Sequence, residues 1–134
     1  MKVVFDTNIY ISAFAIQGGN AEEAFLQAIR GTFILYTSVS ILTETAQKLR
    51  EKFDWDEEKI IRLLKLISKV AKVLKTKSAI NILKDAPDNR ILECAIEGNV
   101  DYIVTGDKHL LALKKYKNIE IISLSNFLNL IKEK

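Results

Sequence analysis

Val3-Val4-Phe5-Asp6-Thr7-Asn8 opens on three apolar residues and then turns abruptly polar. A short apolar run closed by turn-forming residues reads as a buried strand followed by a loop. Further along the chain the same kind of unit returns. Residues 21–30 follow Asn20, a good N-cap, and repeat apolar side chains at helical spacing until Gly31. Residues 33–37 are β-branched and aromatic, a second strand. Ser38 or Ser40 caps a helix that runs to about Arg50 and carries Glu44.

Asp54-Trp55-Asp56-Glu57 has the form of a capping box for a long helix reaching about Val73. Its apolar face is wide, because Ile61, Leu66 and Val70 extend the stripe of Ile60, Leu63, Leu64 and Ile67. That width suits a helix gripped from two sides, or a face shared with another chain. Asp85-Ala86-Pro87-Asp88 reads as a second capping box, with Pro87 in the first turn, where its missing N–H costs nothing. The helix passes Ile91, Leu92, Ala95 and Ile96 and stops at Gly98. Tyr102-Ile103-Val104 is the next strand, and a short helix spans about 110–116. Residues 119–122 form the last strand, and Ser125 caps a final helix with Phe127, Leu128 and Ile131 inward. Strands alternating with helices imply a parallel sheet covered on both faces. No repeat or linker interrupts residues 1–134, which read as one domain.

Composition agrees: 49% hydrophobic and 28% charged residues are enough to build a core without a disulfide or structural metal. Cys94 is the single cysteine and His109 the single histidine, so thiol nucleophile chemistry has little to work with. An acid at position 6 comes too early for a signal peptide, and no apolar run has membrane-spanning length. The expectation is a cytoplasmic protein without a membrane partner. A net charge of +3 only weakly suggests an anionic ligand. The Ile, Lys and Glu bias is typical of thermophiles and of AT-rich genomes alike.

Ligands of open α/β sheets bind beyond the carboxyl ends of the strands. Asp6 and Asp107 follow strands directly, while Glu44 and Asp88 reach the same rim from early in their helices. Two carboxylates about 4 Å apart repel by roughly 4 kcal/mol at an effective dielectric near 20. A divalent cation relieves that repulsion, and hard oxygen ligands select Mg²⁺ or Mn²⁺. Such a cation also acidifies a water and neutralises charge on a phosphoryl oxygen. Each acid has a plainer reading as a turn, cap or solvated residue, and Asp88 as the capping partner of Asp85. Their joint placement at one sheet edge raises all four.

These blocks, Val3–Asn8, Glu44, Asp88-Asn89-Arg90-Ile91-Leu92-Glu93-Cys94-Ala95 and Tyr102–Asp107, stand in the order of a PIN domain. The chain resembles the PIN branch that supplies toxins of prokaryotic toxin–antitoxin pairs, over residues 2 to about 125. The resemblance implies a three-layer α/β/α sandwich with a central parallel sheet of about five strands. It implies Mg²⁺ or Mn²⁺ held by Asp6, Glu44, Asp88 and Asp107, and hydrolysis of RNA by a metal-activated water, leaving a 3′ hydroxyl. It further implies an antitoxin partner and a homodimer.

By the same analogy Asn8 and Thr105 orient a carboxylate or metal waters; turn hydrogen bonding would place them equally well. Arg90 is a candidate phosphate contact, with a helix-surface pair to Glu93 or Glu97 as the simpler role. Lys108, Lys114, Lys115 and Lys117 are candidate guides for the RNA backbone. His109 stands where many relatives carry another acid, which puts an auxiliary metal contact there in doubt.

Other acid-bearing α/β folds fit less well. A signalling receiver needs adjacent acids after its first strand, and a haloacid-dehalogenase-like phosphatase needs Asp-x-Asp where Asn8 stands. A dinucleotide fold needs a glycine-rich turn that residues 6–11 lack. The serious alternative is a PIN fold that binds RNA or a partner with little turnover.

Overall fold

The computed structural model describes residues 1–77 and 79–132. Strand β1 (Lys2–Phe5) leads into α1 (Thr7–Ala15) and α2 (Asn20–Ile29). Then come β2 (Ile34–Ser38), α3 (Val39–Lys52), α4 (Glu57–Val70) and β3 (Lys72–Leu74). The chain continues through α5 (Ala86–Gly98), β4 (Tyr102–Val104), α6 (Lys108–Leu113), β5 (Lys115–Tyr116), β6 (Ile119–Ile122) and α7 (Leu124–Lys132).

The strands form one sheet in the order β3-β2-β1-β4-β6-β5. Every pairing is parallel except β5 on β6. The chain therefore steps outward from β1 to β3, then returns to the other side of β1. Right-handed crossovers place the helices of the two directions on opposite faces. α5 packs across β1 and β2, burying Ile91, Leu92, Cys94 and Ala95. An aromatic cluster ties α1 and α7 to the sheet, and Phe25 of α2 packs on Tyr10 and Phe14 of α1. Phe127 meets Phe33 edge-on at 4.9 Å, and Phe5 contacts Tyr10, Phe33 and Phe127. Such tilted aromatic pairs add to the gain from burial alone.

The sheet has six strands rather than about five, and the two that the residues themselves did not show, β3 and β5, lie where helices were expected to continue. α4 ends at Val70, because Ala71 is extended (ψ 152°), which frees Lys72–Leu74 to pair with β2. α6 stops at Leu113, because Lys114 takes a positive φ of 62°, and Lys115–Tyr116 then forms a hairpin with β6. The largest correction is α1. Asp6-Thr7-Asn8 is the first turn of a helix, not a loop.

Several caps also differ from expectation. Asp56, not Asp54, caps α4 by accepting from the Lys59 amide at 2.8 Å. Gly19, not Asn20, holds the N-cap of α2. Ser123, not Ser125, accepts from the Asn126 amide at the start of α7. The side chain of Asp85 makes no cap hydrogen bond, so the second capping box does not form and the Asp88 carboxylate is left for other use. The choice between Ser38 and Ser40 resolves to Ser38, whose hydroxyl accepts from the Ile41 amide at 3.2 Å.

Candidate active site

The strand order reverses between β1 and β4, and the carboxyl ends of these neighbours open the crevice where such sheets bind ligands. Asp6 leaves β1 and takes the N-cap position of α1 without capping it. Its Oδ2 instead accepts a hydrogen bond from Thr105 Oγ1, just beyond β4, at 2.7 Å. The Thr105 oxygen in turn accepts from the Asp107 amide at 3.0 Å. One fully buried hydroxyl thus joins the start of α1 to the turn before α6, the two segments that carry these acids. Asp107 is also a cap: its Oδ2 accepts from the Leu110 amide at 2.9 Å.

Asp88 enters from the first turn of α5. Its carboxylate is buried, and Oδ2 has no hydrogen-bond partner. Burial and the charges of Asp107, Asp85 and Asp6 push its pKa up to about 7. Asp6 is also raised, chiefly by burial, against the opposing pull of the Thr105 hydrogen bond and the Lys48 charge. Both shifts express the cost of holding ionised carboxylates together away from water.

Glu44 stands at the edge of this group. Its Oε2 accepts from Thr7 Oγ1 at 3.2 Å, and its Oε1 lies 3.4 Å from Lys48 Nζ. Asn8 is exposed and receives the same ammonium on its Oδ1 at 3.3 Å. The fold therefore brings Asp6, Asp88 and Asp107 into mutual electrostatic contact, with Glu44 tied off alongside by Thr7 and Lys48. Among the described residues, no three His, Cys, Asp or Glu side chains close into a ready-made metal cage. The donor set nevertheless suits a hard divalent cation: all four are carboxylates, and one buried oxygen lacks any partner.

The remaining candidates divide. Arg90 pairs with buried Glu93 at 2.7 Å and donates to the Ile80 carbonyl at 3.0 Å, the simpler of its two roles. It still borders a groove of about 380 Å³ that runs from Glu44 past Ser40, Thr43 and Gln47 to Pro87. Lys108, Lys114, Lys115 and Lys117 are exposed. His109 is exposed beside a second groove that reaches Asp85 and Asp88. Cys94 is buried, and burial pushes its thiol up to about 12, which keeps it protonated and unreactive.

Sequence reasoning overlooked Thr7 and Lys48. Lys48 was detectable as the i+4 partner of Glu44; Thr7 was not, because its role depends on α1.

Residues 2–109 match the PIN-domain family. The chain belongs to it. PIN domains are generally nucleases. An uncharacterized protein of Methanocaldococcus jannaschii is 33% identical over 132 residues, covering 92% of this chain and 84% of its own. The fold is similar to that of VapBC2 from Rickettsia felis bound to a DNA fragment from their promoter. That likeness has a TM-score of 0.65 at 16% identity, over 92% of this chain and 98% of that one. It is also similar to PAE2754 from Pyrobaculum aerophilum, with a TM-score of 0.66 at 19% identity, over 99% and 90% of the two chains.

Proposed function

We propose that this PIN domain is a divalent-metal-dependent endoribonuclease and the toxin of a toxin–antitoxin pair. One observation carries the reading. Asp6 and Asp107 meet through Thr105 at the crevice of the sheet, beside the buried carboxyl of Asp88, whose Oδ2 lacks a hydrogen-bond partner and which feels the charge of both. Three buried or half-buried acids so placed are costly unless a cation balances them.

Asp6, Glu44, Asp88 and Asp107 would hold Mg²⁺ or Mn²⁺, which supplies an acidified water and offsets charge on a phosphodiester. The chain's own part is positioning. Thr105 fixes the orientation of Asp6, and the α6 cap fixes Asp107. Asp88, its pKa raised to about 7 by burial and the neighbouring acids, is a carboxyl whose ionisation a cation in the site would favour. Exposed Lys108, Lys114 and Lys115 offset the repulsion between an acidic site and a polyanion, and the groove beside Glu44 receives the strand.

The partner roles rest on apolar surface. Ile61 and Leu66 of α4 remain 50% and 38% exposed, so the broad face of that helix is free to meet an antitoxin or a second copy. No helix among the described residues is long and apolar enough to cross a membrane, which is compatible with a cytoplasmic toxin.

The test is incubation of purified protein with end-labelled single-stranded RNA. Internal cuts that leave 3′ hydroxyl ends are expected with Mn²⁺ or Mg²⁺ and not with EDTA. Cutting that survives EDTA would overturn the metal-dependent reading. RNA bound but left whole in every condition would favour the binding module.

A further inference from the structure

Lys48 is more than a surface helix pair. An ordinary i,i+4 Glu–Lys contact involves two solvated side chains on one helix and is worth a few tenths of a kcal/mol. Here the Glu44 and Lys48 side chains are only 21% and 27% exposed. The ammonium also reaches Asn8, which is 40 residues away on α1. It is the cation whose charge acts on Asp6. Lys48 thus spans the two helices that frame one side of the carboxylate group.

Both oxygens of Glu44 are engaged by the chain, Oε2 by the Thr7 hydroxyl and Oε1 by Lys48. A dication on Glu44 and an ammonium on the same carboxylate repel each other, and the mobile one is the end of a four-carbon stem. Displaced from Glu44, the ammonium still stands at the rim of the site, anchored through α3. An entering polyanion then offers it a new negative partner.

We propose that Lys48 is a switchable counter-cation: it pairs with Glu44 until a divalent cation takes that carboxylate, and then it engages a phosphate of the RNA. This rests on the metal-dependent ribonuclease reading above. It predicts two effects of opposite sign from one substitution. Lys48→Met makes the carboxylates a stronger cation trap, and Mn²⁺ is expected to bind about fivefold to twentyfold more tightly. The same variant is expected to cleave RNA at least tenfold more slowly at saturating Mn²⁺. Lys48→Arg keeps the charge and should hold both quantities within threefold of the wild-type values.

Titration of Mn²⁺ into each protein alone, followed by electron paramagnetic resonance of the free ion, separates this from a loss of folding, which would weaken both. Tighter Mn²⁺ binding with slower cleavage supports the switch. An Mn²⁺ affinity within twofold of wild type, or tighter binding with undiminished cleavage, overturns it. A wild-type protein that binds no Mn²⁺ overturns the underlying ribonuclease reading and the switch together, and is read before RNA is added.

Discussion

Thr105 donates to Asp6 and accepts from the Asp107 amide, so a single oxygen sets the spacing between the start of α1 and the turn before α6. Thr105→Val keeps the shape and removes the hydroxyl. Asp6 then loses the hydrogen bond that opposes its burial, and its carboxylate becomes both harder to ionise and free to rotate. The expected outcome is a fall of about 10- to 100-fold in Mn²⁺ affinity, typical of removing a partner that orients a ligand. Calorimetric titration of the folded variant checks it, and unchanged affinity would reduce Thr105 to a turn residue. At this scale much was legible in the sequence. Asp6, Asp88, Asp107 and Thr105 all stand out because they follow apolar runs or open a helix at the sheet rim. What the sequence hid was pairing. Nothing local shows that Asp88 leaves Asp85 uncapped, or that Thr7 reaches across 37 residues to Glu44.

At the scale of elements, α3 delivers Glu44 and Lys48, and its start is fixed by the buried Ser38 cap. Ser38→Ala removes one N-cap acceptor and should cost about 1 kcal/mol. Thermal melting should fall by roughly 3 °C in a domain of this size. A larger drop than Ser40→Ala produces is expected, and equal effects would place the cap elsewhere. The elements missed from sequence share one cause, tertiary contact overriding local pattern. α1 is rich in β-branched and aromatic residues, and Thr7, Ile9, Tyr10, Ile11 and Ala13 are all buried. A helix without a polar face shows no 3.6-residue alternation to read. β3 begins without a glycine or proline to announce it, and the β5 hairpin depends on left-handed Lys114 and Lys117, which lysine seldom adopts. The long helices α4 and α5 kept their periodicity and were readable apart from their ends.

For the whole molecule, a carboxylate cluster at the sheet edge trades stability for the capacity to bind a cation. Asp88 holds its proton up to about pH 7 in the folded chain, against about 4 for a carboxylate in the unfolded one. Between those values the folded state carries the extra proton, so stability falls as pH rises through the window and levels off above it. The metal-free protein is expected to melt at a higher temperature at pH 5 than at pH 8. Asp88→Asn should flatten that difference and raise the melting temperature at pH 8. Added Mn²⁺ should stabilise the wild-type protein most at pH 8, where the carboxylates are ionised. Differential scanning calorimetry across that range decides it, and a wild-type protein more stable at pH 8 than at pH 5 without metal would contradict the strained cluster.

In the proposed function these carboxylates carry the chemistry. The most direct measurement compares Mn²⁺-dependent cleavage of a labelled mixed-sequence RNA by the wild-type protein and by Asp6→Asn, each confirmed as folded by its melting transition. The wild type is expected to cut, and Asp6→Asn to fall to the level seen with EDTA. A folded Asp6→Asn protein that cuts at the wild-type rate would contradict it.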